Sequence, residues 1–168
     1  MYNVIVADDE KNIREGIVEL IEWEKLGCKV CASMQNGAQV LKYLEEEKIH
    51  VDIIITDIKM PIMDGMELIG MLNERFPDIK VIILTAYSDF TYAQQAIKFQ
   101  VSDFVVKNDF FLELPRAVKK IIEQCEVDAK NVWAERKRSP FSKAKHAGYV
   151  RVKCEILNVM IMRCAKIE

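Results

Sequence analysis

Several common features are scarce or missing from this sequence. No uninterrupted apolar run approaches the roughly 20 residues that a membrane helix needs, so no membrane partner is expected. Met1 leads straight into the strand-like Tyr2-Asn3-Val4-Ile5-Val6-Ala7, without the basic start and apolar run of a signal peptide. A cytoplasmic location is therefore expected. The five cysteines are odd in number and scattered, which suits a reduced chain better than a disulfide framework. Cys28 and Cys31 do form a C-x-x-C, but in a strand their side chains would point to opposite faces. No second Cys or His pair stands at ligand spacing, so they read as core residues rather than as a zinc or redox site. No internal repeat and no low-complexity tract is visible.

What is present fits one ordinary domain with a modest extension: 168 residues, 51% apolar and 30% charged. The net charge of -2 conceals two opposed regions. Residues 1–128 carry 14 Lys and Arg against 23 Asp and Glu, a net of -9, whereas residues 129–168 carry 10 against 3, a net of +7. An acidic domain followed by a basic tail is expected. The divisions are a domain over 1–126, a helical extension or linker over 127–138, and a basic tail over 139–168.

Apolar runs at Tyr2–Ala7, Lys29–Ser33, Val51–Thr56, Ile79–Leu84 and Phe104–Val106 predict five strands. The central ones are nearly continuous, as strands are when helices cover both faces of a parallel sheet. Helical stripes lie between them: Ile13, Ile17, Leu20 and Ile21, then Val40, Leu41 and Leu44 behind a capping Asn36. Leu68, Ile69, Leu72 and Phe76 mark a third helix, and Tyr92, Ala93, Ala96 and Ile97 a fourth, less apolar one. Leu114, Val118, Ile121, Ile122 and Cys125 mark the last, with Pro115 placed in its first turn. Five βα units with right-handed crossovers imply an α/β fold, a doubly wound parallel sheet. The flavodoxin-like strand order 2-1-3-4-5 is adopted by analogy, with a C-terminal helical extension. In that extension Val118, Ile122, Cys125, Ala129 and Val132 follow a short heptad-like spacing before Ser139-Pro140 interrupts it. Phe141–Glu168 fits a strand and a helix equally well.

In such sheets ligands bind beyond the carboxyl ends of the strands, where strand order reverses. Here that point lies between the first and third strands, whose ends carry Asp8-Asp9 and Asp57. Three carboxylates so close repel one another unless protonated or held by a cation. An oxygen-rich, thiol-free setting favours Mg²⁺, and an Asp beside it is a competent nucleophile for a phosphoryl group. Charge neutralisation and donors for that group come from Thr85, ending the fourth strand, and Lys107, ending the fifth. Taken singly, an Asp pair is often a turn and a terminal Lys a solvated edge. Their coincidence at the ends of four strands favours a site.

These residues lie in strings that resemble a known family. They are Val6-Ala7-Asp8-Asp9-Glu10, Thr56-Asp57-Ile58-Lys59-Met60-Pro61-Ile62-Met63-Asp64-Gly65, Leu84-Thr85-Ala86-Tyr87 and Ser102-Asp103-Phe104-Val105-Val106-Lys107. Over Met1 to about Glu126 the chain resembles the receiver domains of two-component response regulators. That resemblance implies that Asp57 accepts phosphate from a partner histidine kinase. It also implies that Asp9, Asp57 and the backbone carbonyl of Lys59 ligate Mg²⁺, with Asp8 acting through water. Thr85 and Lys107 would contact the phosphoryl oxygens, and Phe104 would be the aromatic that turns inward as Thr85 moves. A homodimer through the face of helix four, strand five and helix five, or through the helical extension, is a further expectation.

The sequence also departs from that family. Asn108 stands where a proline usually follows the lysine, and Gln100-Val101 replaces a small pair. Lys59 and Tyr87 occupy positions that tend to tune the lifetime of the phosphate. Asp57-Ile58-Lys59-Met60-Pro61 is similar to regulators bearing an AraC-type helix-turn-helix domain, which needs on the order of 100 residues. Only about 30 follow Ser139. DNA contact is thus expected only through an output domain beyond this chain, and a stand-alone receiver acting by protein contacts is the alternative. Two other readings compete. An Asp-nucleophile phosphohydrolase would favour an acid where Lys59 stands, and the +7 tail, with Arg136-Lys137-Arg138, could bind nucleic acid.

Overall fold

The computed structural model describes residues 1–47, 49–86 and 101–138, with side-chain surroundings up to residue 131. The expected fourth helix, Tyr87, Gln100 and the tail from Ser139 onward lie outside the described residues. The chain divides into two compact units, Met1–Ile121 and Ile122–Glu168.

The first unit is a five-stranded parallel sheet in the order β2-β1-β3-β4-β5, the order expected from the sequence. Its strands are β1 (Tyr2–Ala7), β2 (Cys28–Met34), β3 (Ile53–Thr56), β4 (Lys80–Thr85) and β5 (Asp103–Val106). Helices α1 (Lys11–Leu20), α2 (Gly37–Glu46) and α3 (Gly65–Arg75) follow the first three strands. A 3-10 turn over Lys107–Asp109 then runs directly into a long helix, Phe110–Arg138.

Every residue of β3 is buried, as its unbroken Ile-Ile-Ile-Thr sequence requires of a central parallel strand. Ile5, Ala7, Ile54, Val81 and Ile83 from one face of the sheet pack with Val40 and Leu41 of α2 and with Leu68, Ile69 and Leu72 of α3. Burying a side chain of this size stabilises the fold by about 1.5–3 kcal/mol relative to leaving it exposed. Between β1 and β2 the register jumps from Val4–Val30 to Ile5–Ala32, so Cys31 is the extra residue of a bulge. Cys31 packs with the Ile5 face, while Cys28 pairs in register with Tyr2 on the opposite one. The two thiols are thus apart and unbridged.

Asn36 caps α2 as expected, its side chain accepting from the Gln39 amide at 3.0 Å. Two expectations need correction. Leu20 is exposed rather than part of the α1 stripe, whose buried residues are Arg14 and Ile17, while Ile21 is buried in extended backbone just past the helix end. Pro115 sits in the second turn of its helix, because the preceding 3-10 turn starts the helix at Phe110. Its missing N–H removes one helical hydrogen bond there.

The second unit contains the remainder of the long helix. Along it Ile122, Cys125 and Ala129 are half-buried while Glu123, Gln124, Glu126 and Asp128 are exposed, and the Gln124 amide donates to Asp128 at 2.9 Å. Among the described residues no helix is long and apolar enough to cross a membrane.

Candidate functional site

The carboxyl ends of the central strands converge as the strand order dictates. The Asp57 amide donates to the Ala7 carbonyl at 2.9 Å, which ties the end of β3 to the end of β1. The Asp8 amide donates to Met34 at 3.0 Å, fixing the same end against β2. Asp8, Asp9 and Asp57 are thereby brought together, with one carboxylate oxygen of each within 4.8 Å of the others.

Lys107 enters this cluster from the residue after β5. Its Nζ lies 2.8 Å from Asp8 Oδ2, 2.8 Å from Glu10 Oε1 and 2.9 Å from Asp57 Oδ2. Lys107, Asp8 and Asp57 are buried, whereas Asp9 is exposed. The other Asp57 oxygen accepts from the Ile58 amide at 2.7 Å. Burial is the largest influence on Asp8 and Asp57 and raises both carboxyls above their ordinary range, against the lowering effect of Lys107. Burial works to lower Lys107, but the three carboxylates around it, Asp8, Glu10 and Asp57, outweigh it together and raise the ammonium.

The loop from β3 to α3 shapes the other side of the site. The Gly65 amide donates to the Ile58 carbonyl at 2.8 Å, and a β-carbon at Gly65 would collide with the Asp57 carbonyl. Asp64 caps α3 in a reciprocal box: Glu67 N–H donates to Asp64 at 2.8 Å, and Asp64 N–H donates to Glu67 at 3.2 Å. Two residues before Asp64, Ile62 adopts φ 71°, a left-handed conformation unusual for a β-branched residue. Asp9, Ile58, Lys59, Met60, Pro61 and Asp64 line an open crevice beside the carboxylates.

The donor set suits a hard divalent cation. It is made of oxygens only, it is crowded with like charge, and Asp8 Oδ2 is buried without a well-aligned hydrogen bond although Lys107 is near. Asp8, Asp9 and Asp57 are the residues brought close enough together to hold such an ion.

Three contributors escaped the sequence reading. Glu10 contacts Lys107 directly, and the third acid in Asp8-Asp9-Glu10 was its only signal. Arg14 is buried and donates to the Asp8 carbonyl at 2.6 Å. An arginine set between Ile13 and Ile17 in an apolar stripe could have flagged it. The Asp64–Glu67 box was legible as an acidic pair three residues apart before an apolar run.

Comparison with known proteins is decisive for the family. The model of the response regulator receiver domain matches residues 4–119. The chain belongs to the response regulator receiver family. The receiver is similar to the transcriptional regulatory protein YesN of Bacillus subtilis, 35% identical over 147 residues that cover 88% of this chain and 36% of the relative. It is also similar to HptR of Staphylococcus aureus, 30% identical over 128 residues covering 74% of this chain and 49% of that protein. The chain therefore spans less than half the length of these curated relatives. Among solved structures, the receiver domain of the response regulator AraT from Geobacillus stearothermophilus is 37% identical with a TM-score of 0.65, covering 74% of this chain and 98% of that one.

Within the receiver, Thr85 is fully buried at the end of β4. Phe104 pairs in register with Ile83, so its side chain leaves the same sheet face as Thr85. Phe104 is half-buried against the core. No peptide bond among the described residues is cis, including Lys107–Asn108.

Proposed function

We propose that this receiver takes a phosphoryl group from a partner histidine kinase onto Asp57, in the presence of Mg²⁺, and that the modified state governs a transcriptional output. The observation that carries this reading is the Asp57 carboxylate itself. It stands in one cluster with Asp8 and Asp9 and 2.9 Å from the Lys107 ammonium.

In the step proposed, an Asp57 oxygen forms a bond to phosphorus as the phosphorus–nitrogen bond of phosphohistidine breaks. The electron pair of that bond stays on the imidazole nitrogen. The ammonium of Lys107 and the hydroxyl of Thr85 donate to the phosphoryl oxygens. Asp9, Asp57 and the Lys59 carbonyl would hold Mg²⁺ directly and Asp8 through water. The ion supplies charge neutralisation for the phosphoryl oxygens and the crowded carboxylates.

Phosphorylation adds about -1.5 to -2 charge and three strong acceptors to a buried position. Movement of Thr85 and Lys107 toward those acceptors would draw Phe104 inward and repack that sheet face. Only contacts that differ between the two states shift the balance. The product is a conformation rather than a released chemical, and Lys59 stands where an Asp-nucleophile hydrolase would carry its acid. A transcriptional output, through sequence beyond a receiver of residues 1–126, follows the names of the relatives, and action in the cytoplasm belongs to the same reading. A homodimer, through the face of helix four, strand five and helix five or through the helical extension, is a further part of this reading.

Intact mass after incubation with acetyl phosphate and Mg²⁺, for wild type and Asp57→Asn, tests the reading. One added phosphoryl group is expected, lost in the variant and without the metal. Wild type that gains no mass and also fails to bind beryllofluoride would sink it.

A further inference from the structure

An ammonium has three N–H donors, and Lys107 lies within 2.9 Å of three carboxylates. The three partners are not equivalent. The side chains of Asp8 and Asp57 are 1% and 8% exposed, whereas that of Glu10 is 58% exposed. A buried carboxylate that loses its cation is left desolvated, which is strongly unfavourable. Glu10 would return to water at little cost. Its side chain is also not engaged in capping α1, although the residue occupies the capping position.

A phosphoryl group on Asp57 brings new acceptor oxygens that need a donor from Lys107. We propose that Glu10 is a displaceable third partner of Lys107, a positioning residue that holds the ammonium in the resting receiver and gives it up to the phosphoryl group. The inference rests on the phosphoacceptor reading of Asp57. It makes Glu10 a competitor of the phosphoryl group for one donor, so the residue sets how readily the modified state forms. Losing a purely structural contact would weaken binding at the site. Losing a competitor strengthens it.

The test is calorimetric titration of the full chain with beryllofluoride, a phosphoryl mimic, in saturating Mg²⁺, for wild type, Glu10→Gln and Glu10→Asp. Thermal melting checks that all three fold. Glu10→Gln is expected to bind roughly two- to five-fold tighter, the range of an exposed ion pair. Glu10→Asp keeps the charge on a side chain one methylene shorter, and is expected to follow Gln if contact with Lys107 is what matters. Tighter binding by Gln but wild-type binding by Asp would mean a through-space charge effect and overturn the proposal. Unchanged or weaker binding by Gln would overturn it too. If wild type itself binds nothing, the phosphoacceptor reading falls, and this inference falls with it.

Discussion

A β-carbon on Gly65 would overlap the carbonyl oxygen of Asp57 and come within 3.1 Å of the Ile58 Cα. The obstacle is backbone on both counts, so no side-chain rotation relieves it. Gly65→Ala must push the start of α3 away from the residue that follows β3, breaking the 2.8 Å bond from Gly65 to Ile58. A loss of about 2–3 kcal/mol in urea unfolding is expected. A variant as stable as wild type would show that the loop yields freely.

The acidic cluster should work against stability at neutral pH. Burial raises the Asp57 carboxyl above its ordinary value of 3.8, with Lys107 and the Ile58 amide opposing it. A carboxyl raised on folding contributes stability that is complete below the unfolded value and disappears as pH rises through the folded one. Asp57→Asn keeps the shape and cannot ionise. In chelator at pH 7 it is expected to be more stable than wild type by about 1 kcal/mol, or some 3–5 °C in Tm. That advantage should shrink as the pH falls toward 4. Equal melting temperatures at pH 7 would contradict it.

Ile62 combines φ 71° with an exposure of 85% for the residue as a whole. A left-handed conformation costs an L residue about 1–2 kcal/mol, and here little burial offsets it. Asn accepts this conformation more readily. Ile62→Asn is expected to stabilise the protein by about 0.5–1 kcal/mol in chemical denaturation. Destabilisation would mean that the Ile62 side chain has packing its exposure does not suggest.

Burial pushes the Cys28 thiol up to about 11, with the Asp52 charge adding to the effect. Because only the thiolate reacts, alkylation by iodoacetamide at pH 8 is expected to run about 100-fold slower than for an unfolded thiol. Peptide mapping after timed labelling reads this directly, and urea should restore the ordinary rate. Rapid native labelling of Cys28 would mean that this edge of the sheet opens easily.

Much of the fold was written in short apolar runs. Ile53-Ile54-Ile55 has no polar face to give to water, so its central position in the sheet followed. The site was legible for the same reason: once the strands were placed, Asp8, Asp9, Asp57, Thr85 and Lys107 all fell at their carboxyl ends. Spacing reads periodicity and misses partners. Leu20 fitted the α1 period yet lies at the outer rim of the stripe, while Arg14 turned inward because the Asp8 carbonyl needed a donor. Glu10 meets Lys107 across 97 positions of sequence, a contact that local patterns do not report.

Because the Glu10 side chain is turned toward Lys107, the first amides of α1 have no side-chain acceptor at the capping position. Serine, threonine, aspartate or asparagine would be the usual choice there, and a missing cap costs a helix end about 1 kcal/mol. The start of α1 is therefore the weak end of its helix, tethered mainly through Arg14. Hydrogen exchange at Lys11, Asn12 and Ile13 should outpace the sheet amides by orders of magnitude. Those three backbone protons lie next to the acids they follow, and the rate at which deuterium replaces them would report the state of the cluster from outside it.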